Sequence, residues 1–254
     1  TGWCGNPCPW ARARDRGIDD TNLGKYAFEV AEAATGRLLY SRGFCSIYGE
    51  WETTDEAKAL TRTFSESLRF PEPGGPVKVT LKKRDAANAF KPIWTFTLDP
   101  ADPALDRALP PSAGALIPLQ RSGEPPEKVD LLILGDGYTA GERAKFEGDA
   151  RRMMETLFAQ QPFKDHRSDF NVWGLCPSAE ASGIARPSTG LHRRSPLGST
   201  YDAFGSERYV LTFENRALRD AAAWAPYEFM EILVNGQTYG GGGIFGLYAT
   251  VASD

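Results

Sequence analysis

The chain has 254 residues, 41% of them hydrophobic and 24% charged, which excludes a disordered or fibrous class. That length allows one or two domains, each able to bury its own core without a dense disulfide framework. A formal net charge of −4 offers no basic field for a phosphate backbone, and no apolar run approaches the roughly 18–20 residues of a membrane helix; nucleic acid is not expected as a partner, and no membrane span is expected.

The chain opens on Thr1 with no basic, apolar and small-residue signal pattern before it, which reads as a processed or incomplete amino terminus. Cys4 and Cys8 could close a small loop in an oxidising compartment, but a second metal-spaced pair is missing, so a zinc site there is not expected. From Lys25 to about Pro100 short strands alternate with turns. Tyr26–Val30 and Arg37–Tyr40 flank Ala34-Thr35-Gly36 as a hairpin, followed by strands over Thr61–Phe70, Val77–Leu81 and Ile93–Leu98. Strands with one apolar face each predict an antiparallel β-sandwich over 18–105. The Pro-, Ala- and Gly-rich stretch 106–127 reads as a linker.

From residue 128 to 254 the pattern becomes alternating α and β. Val129–Leu134 predicts a buried strand, and Thr139-Ala140-Gly141-Glu142 a capping box. In the helix that follows, Phe146, Ala150, Met153, Met154 and Leu157 recur at three- and four-residue steps and face the sheet. Phe170–Leu175 is a second strand, and 177–199 a long polar loop. A helix over Phe213–Ala223, a strand over Phe229–Val234, the turn Asn235-Gly236, four glycines and a final apolar segment Ile244–Val251 complete the order. Cys45 and Cys176 read as buried, inert thiols.

Gly135-Asp136-Gly137-Tyr138-Thr139 lies at a strand end and a helix start. A phosphate-binding turn would need a third glycine or a P-loop lysine, and a Gly-Asp-Ser hydrolase motif would need a nucleophile where Gly137 stands. The sharp turn therefore reads as structural, with Asp136 bonding local amides. Gly240 to Gly243 allow close backbone approach. The two histidines, His166 and His192, are too far apart for a His-Glu-x-x-His zinc helix; His166 reads as an exposed turn residue, and Arg193 disfavours metal beside His192.

Several blocks together resemble the IgA-peptidase (M-sixty-four) family of zinc metallopeptidases. They include Thr21-Asn22-Leu23-Gly24-Lys25-Tyr26, Tyr48-Gly49-Glu50-Trp51, Leu134-Gly135-Asp136-Gly137-Tyr138, Tyr201-Asp202-Ala203-Phe204-Gly205, Ala225-Pro226-Tyr227 and Tyr239 to Gly243. The likeness runs from about Ile18 to Asp254, whereas Thr1–Arg16 do not look like the family. It implies an α+β multidomain protein: an amino-terminal antiparallel β-sandwich accessory domain, then a partial α/β zincin-like catalytic domain. It also implies a secreted endopeptidase, extracellular or periplasmic, with protein or peptide substrates and zinc in the complete family protein. In that family the zinc-binding helix follows this point, so the chain is expected to be a fragment that binds no zinc and is inactive. No catalytic or metal residue is assigned. The substrate-cleft candidates are Asp136, Tyr138, Tyr239, Gly240, Gly241 and Gly242. An unpaired final strand is expected to lower solubility, and oligomeric state stays open. The alternatives are a non-catalytic β-sandwich module binding a protein or glycan, with a vestigial peptidase scaffold, and a nucleotide-binding protein resting only on glycine-rich turns.

Overall fold

The structure, a computed structural model, describes residues 17–253; the expectations for Cys4, Cys8 and Thr1–Arg16 lie outside them. The chain divides into two compact units, one holding 17–109 with 244–247 and the other 110–243 with 248–253. Among the described residues no helix is long and apolar enough to cross a membrane.

The first unit contains β1 (Tyr26–Glu32), β2 (Leu38–Phe44), the short helices α1 (Ile47–Trp51) and α2 (Glu56–Ala59), β3 (Val77–Arg84) and β4 (Phe90–Leu98). The strands form one antiparallel sheet in the order β2-β1-β3-β4. Period-two alternation puts Tyr26, Phe28 and Val30 on one face, with Val79 opposite Val30. The predicted sandwich needs a second sheet, and the described residues of this unit hold none. Helix α1 and the stretch 60–76 cover the apolar face instead. Helix α1 starts where the Ser46 hydroxyl accepts from the Gly49 amide at 2.9 Å, and it buries Ile47 and Trp51. The segment Thr61–Phe70, expected as a strand, has no regular structure. Its aromatic rings pack directly: Phe70 lies 6.2 Å from Phe28 and Phe64 5.5 Å from Trp51. Side-chain burial without ladder pairing satisfies the same apolar pattern.

The second unit contains β5 (Ile117–Gln120), β6 (Val129–Asp136), α3 (Arg143–Phe158), β7 (Phe170–Leu175), β8 (Ser199–Thr200), β9 (Leu211–Thr212), α4 (Asn215–Ala222), β10 (Phe229–Val234), β11 (Gly241–Ile244) and β12 (Tyr248–Ala252). A six-stranded sheet runs β11-β12-β10-β6-β7-β5. Strands β12, β10, β6 and β7 are parallel, and β5 is antiparallel to β7 at the edge. Strand β5 falls inside the stretch expected to be a linker; Pro118 is compatible with an edge strand, where one row of amides has no partner to lose. The central position of β6 explains its run of apolar residues, since a parallel strand inside a sheet is covered on both faces.

Helix α3 follows the predicted cap, with the Glu142 carboxylate accepting from the Thr139 amide and hydroxyl, each at 2.9 Å. Phe146, Ala150, Met154 and Phe158 recur every four residues and are buried against Leu131, Ile133, Val172 and Leu233. The segment Ile244–Val251 is not one strand. It divides at a turn closed by the Leu247 amide and the Ile244 carbonyl, at 2.9 Å. The expected exposed final strand is also corrected: β12 lies inside the sheet, between β11 and β10.

Candidate functional site

In the parallel part of the sheet the chain moves from β6 to β7 on one side, then returns to β10 on the other. The order reverses between β6 and β10, where crossovers diverge and the carboxyl ends of open α/β sheets form a crevice. Asp136 ends β6, and Asn235 follows β10.

Asp136 is fully buried. One carboxylate oxygen accepts from the Gly137 amide (3.1 Å) and the Leu197 amide (3.1 Å). The other accepts from the Ser195 hydroxyl (2.8 Å) and the Ser199 amide (3.0 Å). Burial pushes this carboxyl above its usual range, and the hydrogen-bond donors from 195–199 pull against that shift. The predicted bonding to local amides is present at Gly137, but most of its partners lie some sixty residues on. The polar loop 177–199 is therefore fastened to the end of β6. Further ties run from the Ala179 amide to the Tyr138 carbonyl (2.7 Å) and from the Gly183 amide to the Gly137 carbonyl (2.8 Å). Gly137 and Gly183 both take positive φ, at 79° and 89°. A Cβ on Gly137 would stand 2.7 Å from the Gly183 carbonyl oxygen, so the crossing itself requires glycine.

Tyr138 is also fully buried, edge-on to Phe146 with ring centroids 5.3 Å apart. Its hydroxyl donates to Asp149 at 2.9 Å, and the same carboxylate pairs with Lys145 (2.6 Å) and Arg152 (3.0 Å). Burial first, then the neighbouring Asp149 charge, pushes the phenol far up and keeps it protonated. Lys145 also donates to Asn235 (3.0 Å), whose amide nitrogen reaches the Gly137 carbonyl (3.0 Å), Ser182 (3.0 Å) and Glu142 (3.2 Å). Glu142 is held down to about 2, first by the Thr139 amide and then by the Ser182 hydroxyl. The network is closed and satisfied, so it positions backbone and leaves no free base. Burial raises the Cys176 thiol to about 12, which removes it as a nucleophile at neutral pH.

Tyr239 is 77% exposed and is the one side chain among the six cleft candidates that reaches solvent freely. Its neighbours Gly240, Gly241 and Gly242 serve close packing. A Cβ on Gly242 would come within 2.4 Å of the Tyr209 ring and 2.8 Å of the Val210 carbonyl. Gly241 exchanges hydrogen bonds with 208–210: its amide donates to the Arg208 carbonyl (3.0 Å), and its carbonyl accepts from Val210 (3.2 Å). Part of the β11 edge is thus already taken, which narrows its use for an added peptide strand.

A zinc ion would need three or four converging ligands. His166 Nδ1 lies 3.0 Å from Asp169 on an exposed turn, and His192 sits in the 177–199 loop beside Arg193 and Arg194. Among the described residues no three His, Cys, Asp or Glu side chains converge. The described residues therefore offer no ligand set for a zinc centre.

Sequence reading missed the role of Asn235, which looked like half of a turn pair, and of Ser195 and Ser199 as partners of Asp136. All three depend on contacts distant in sequence. The strand-turn-helix signal at Asp136 was local and could be found.

A mixed sheet with a closed polar network at its switch point, preceded by a smaller antiparallel unit, defines a two-unit α+β protein. The family description IgA Peptidase M64 matches residues 117–254, and Peptidase M64 N-terminus matches residues 4–95; the second match starts at Cys4 and so corrects the expectation that Thr1–Arg16 do not look like the family. The chain belongs to the M64 peptidase family, a family of zinc metallopeptidases. Among curated proteins no significant match is found.

Proposed function

We propose that this chain is part of an exported zinc metalloendopeptidase that hydrolyses peptide bonds of proteins, and that these 254 residues supply the scaffold beside the cleft without the metal site. The family match over 117–254 carries the reading. The fastened loop 177–199 and the satisfied Asp136 and Asn235 networks support a positioning role, because residues so enclosed hold a cleft wall without touching substrate. Tyr239 is the candidate for direct substrate contact. Incubating the chain with zinc and a fluorogenic peptide library tests this. No chelator-sensitive hydrolysis is expected, and cleavage abolished by a chelator and restored by zinc would overturn it.

One observation favours a second reading, a non-catalytic binding module. Ile93 and Trp94 are exposed on the edge strand β4, with the Trp94 ring tilted against Phe96 at a centroid distance of 4.7 Å, and a stretch of exposed aromatic and aliphatic surface is a recognition feature. Binding to a glycan or protein array that Trp94→Ala abolishes would support the module.

A further inference from the structure

Beside the fastened loop lies an open groove of 560 Å³, lined among others by His192, Arg193, Arg194, Ser195 and Glu214. Its volume falls in the range of small-ligand sites. Arg193 and Arg194 are both exposed and form no salt bridge among the described residues. Two guanidinium groups, charged at any ordinary pH, therefore face the groove with Glu214 as the one carboxylate in its lining. That local excess of positive charge contrasts with the chain's net −4.

Sequence alone makes Arg193 and Arg194 ordinary solvated loop charges, but the structure places them on a held support. Ser195, Leu197 and Ser199, the residues just after them, are the ones bonded to buried Asp136. The Arg193 guanidinium also lies over Gly183, where a Cβ would meet its Nη1 at 2.5 Å. A planar guanidinium suits bidentate pairing with a carboxylate, and the loop backbone that carries it is already held by Asp136, which lowers the ordering cost of binding.

We propose that this groove is a subsite for an acidic peptide segment, with Arg193 and Arg194 pairing to an Asp or Glu side chain of the ligand. The idea rests on the peptidase reading only in taking the ligand to be a peptide. The test is fluorescence anisotropy of the full chain with a labelled hexapeptide carrying two glutamates, against the same peptide carrying glutamines. The glutamate peptide is expected to bind at least about tenfold tighter, and the preference to disappear in an R193A/R194A double variant. Glu214→Gln should tighten binding by removing the opposing charge, a gain that misfolding would not produce. Equal binding of the two peptides, a preference that survives the double variant, or tighter binding of a single-stranded oligonucleotide of equal charge would overturn the proposal. No bond is cleaved in this assay, so an absence of charge-selective binding counts against the groove and leaves the peptidase reading standing.

Discussion

Replacing Asp136 tests how the sheet end and the loop 177–199 are joined. Asp136→Ala removes an acceptor for four donors: the Gly137, Leu197 and Ser199 amides and the Ser195 hydroxyl. A buried donor left without a partner costs about 1–3 kcal/mol. Relaxation and water entry recover part of the sum, which leaves a loss of about 4 kcal/mol. Asp136→Asn is nearly isosteric but must turn its NH2 toward one pair of donors. On the side of Gly137 and Leu197 it would oppose two backbone amides. On the side of Ser195 and Ser199 the hydroxyl can rotate to accept, and only the Ser199 amide is stranded. The second orientation is preferred, at a cost of about 2 kcal/mol. Urea denaturation of the three proteins, with limited proteolysis of 177–199, reads both quantities. The expected order of stability is wild type, Asn, Ala, with loop cleavage fastest in the alanine variant. Equal losses for the two variants, or losses below about 0.5 kcal/mol, would refute the reasoning.

The side chain of Glu231 on β10 has no hydrogen bond or ion pair among the described residues, and burial raises its carboxyl to about 7. The folded value lies above the unfolded one, so its favourable contribution is complete below about pH 4.5 and is lost as pH rises through 7. Glu231→Gln should therefore add about 2–3 kcal/mol at pH 8 and close to nothing at pH 4 in denaturant melts; a pH-independent effect contradicts this. Gly242→Ala should cost about 1–3 kcal/mol through collision with Tyr209 and the Val210 carbonyl, and an unchanged thermal midpoint would show that 208–210 yields easily. Tyr239→Ala should change stability by less than about 0.5 kcal/mol because its ring is exposed, which a melting curve checks.

The residues visible from sequence were those whose structure is set locally. Strands β6, β7 and β10 combine apolar runs with flanking turns, and the Thr139–Glu142 cap lies within one turn of helix. Thr61–Phe70 was misread because Phe64 and Phe70 bury their rings without a neighbouring strand. Strand β5 escaped because its Pro118 and Pro-rich surroundings mimic a linker, although an edge position tolerates proline. At the site, Asp136 stood out by its turn, but its partners Ser195, Leu197 and Ser199 are about sixty residues away, beyond the reach of any periodicity. Tyr138 carried no mark of burial until Phe146 and Asp149 were placed around it.

We propose that these 254 residues form scaffold of an M64 peptidase and hold no zinc ion by themselves. Metal analysis by native mass spectrometry, after zinc saturation and desalting, tests it most directly. Metal-free protein with folded charge states is expected. One zinc retained per chain and removed only by a strong chelator would contradict it.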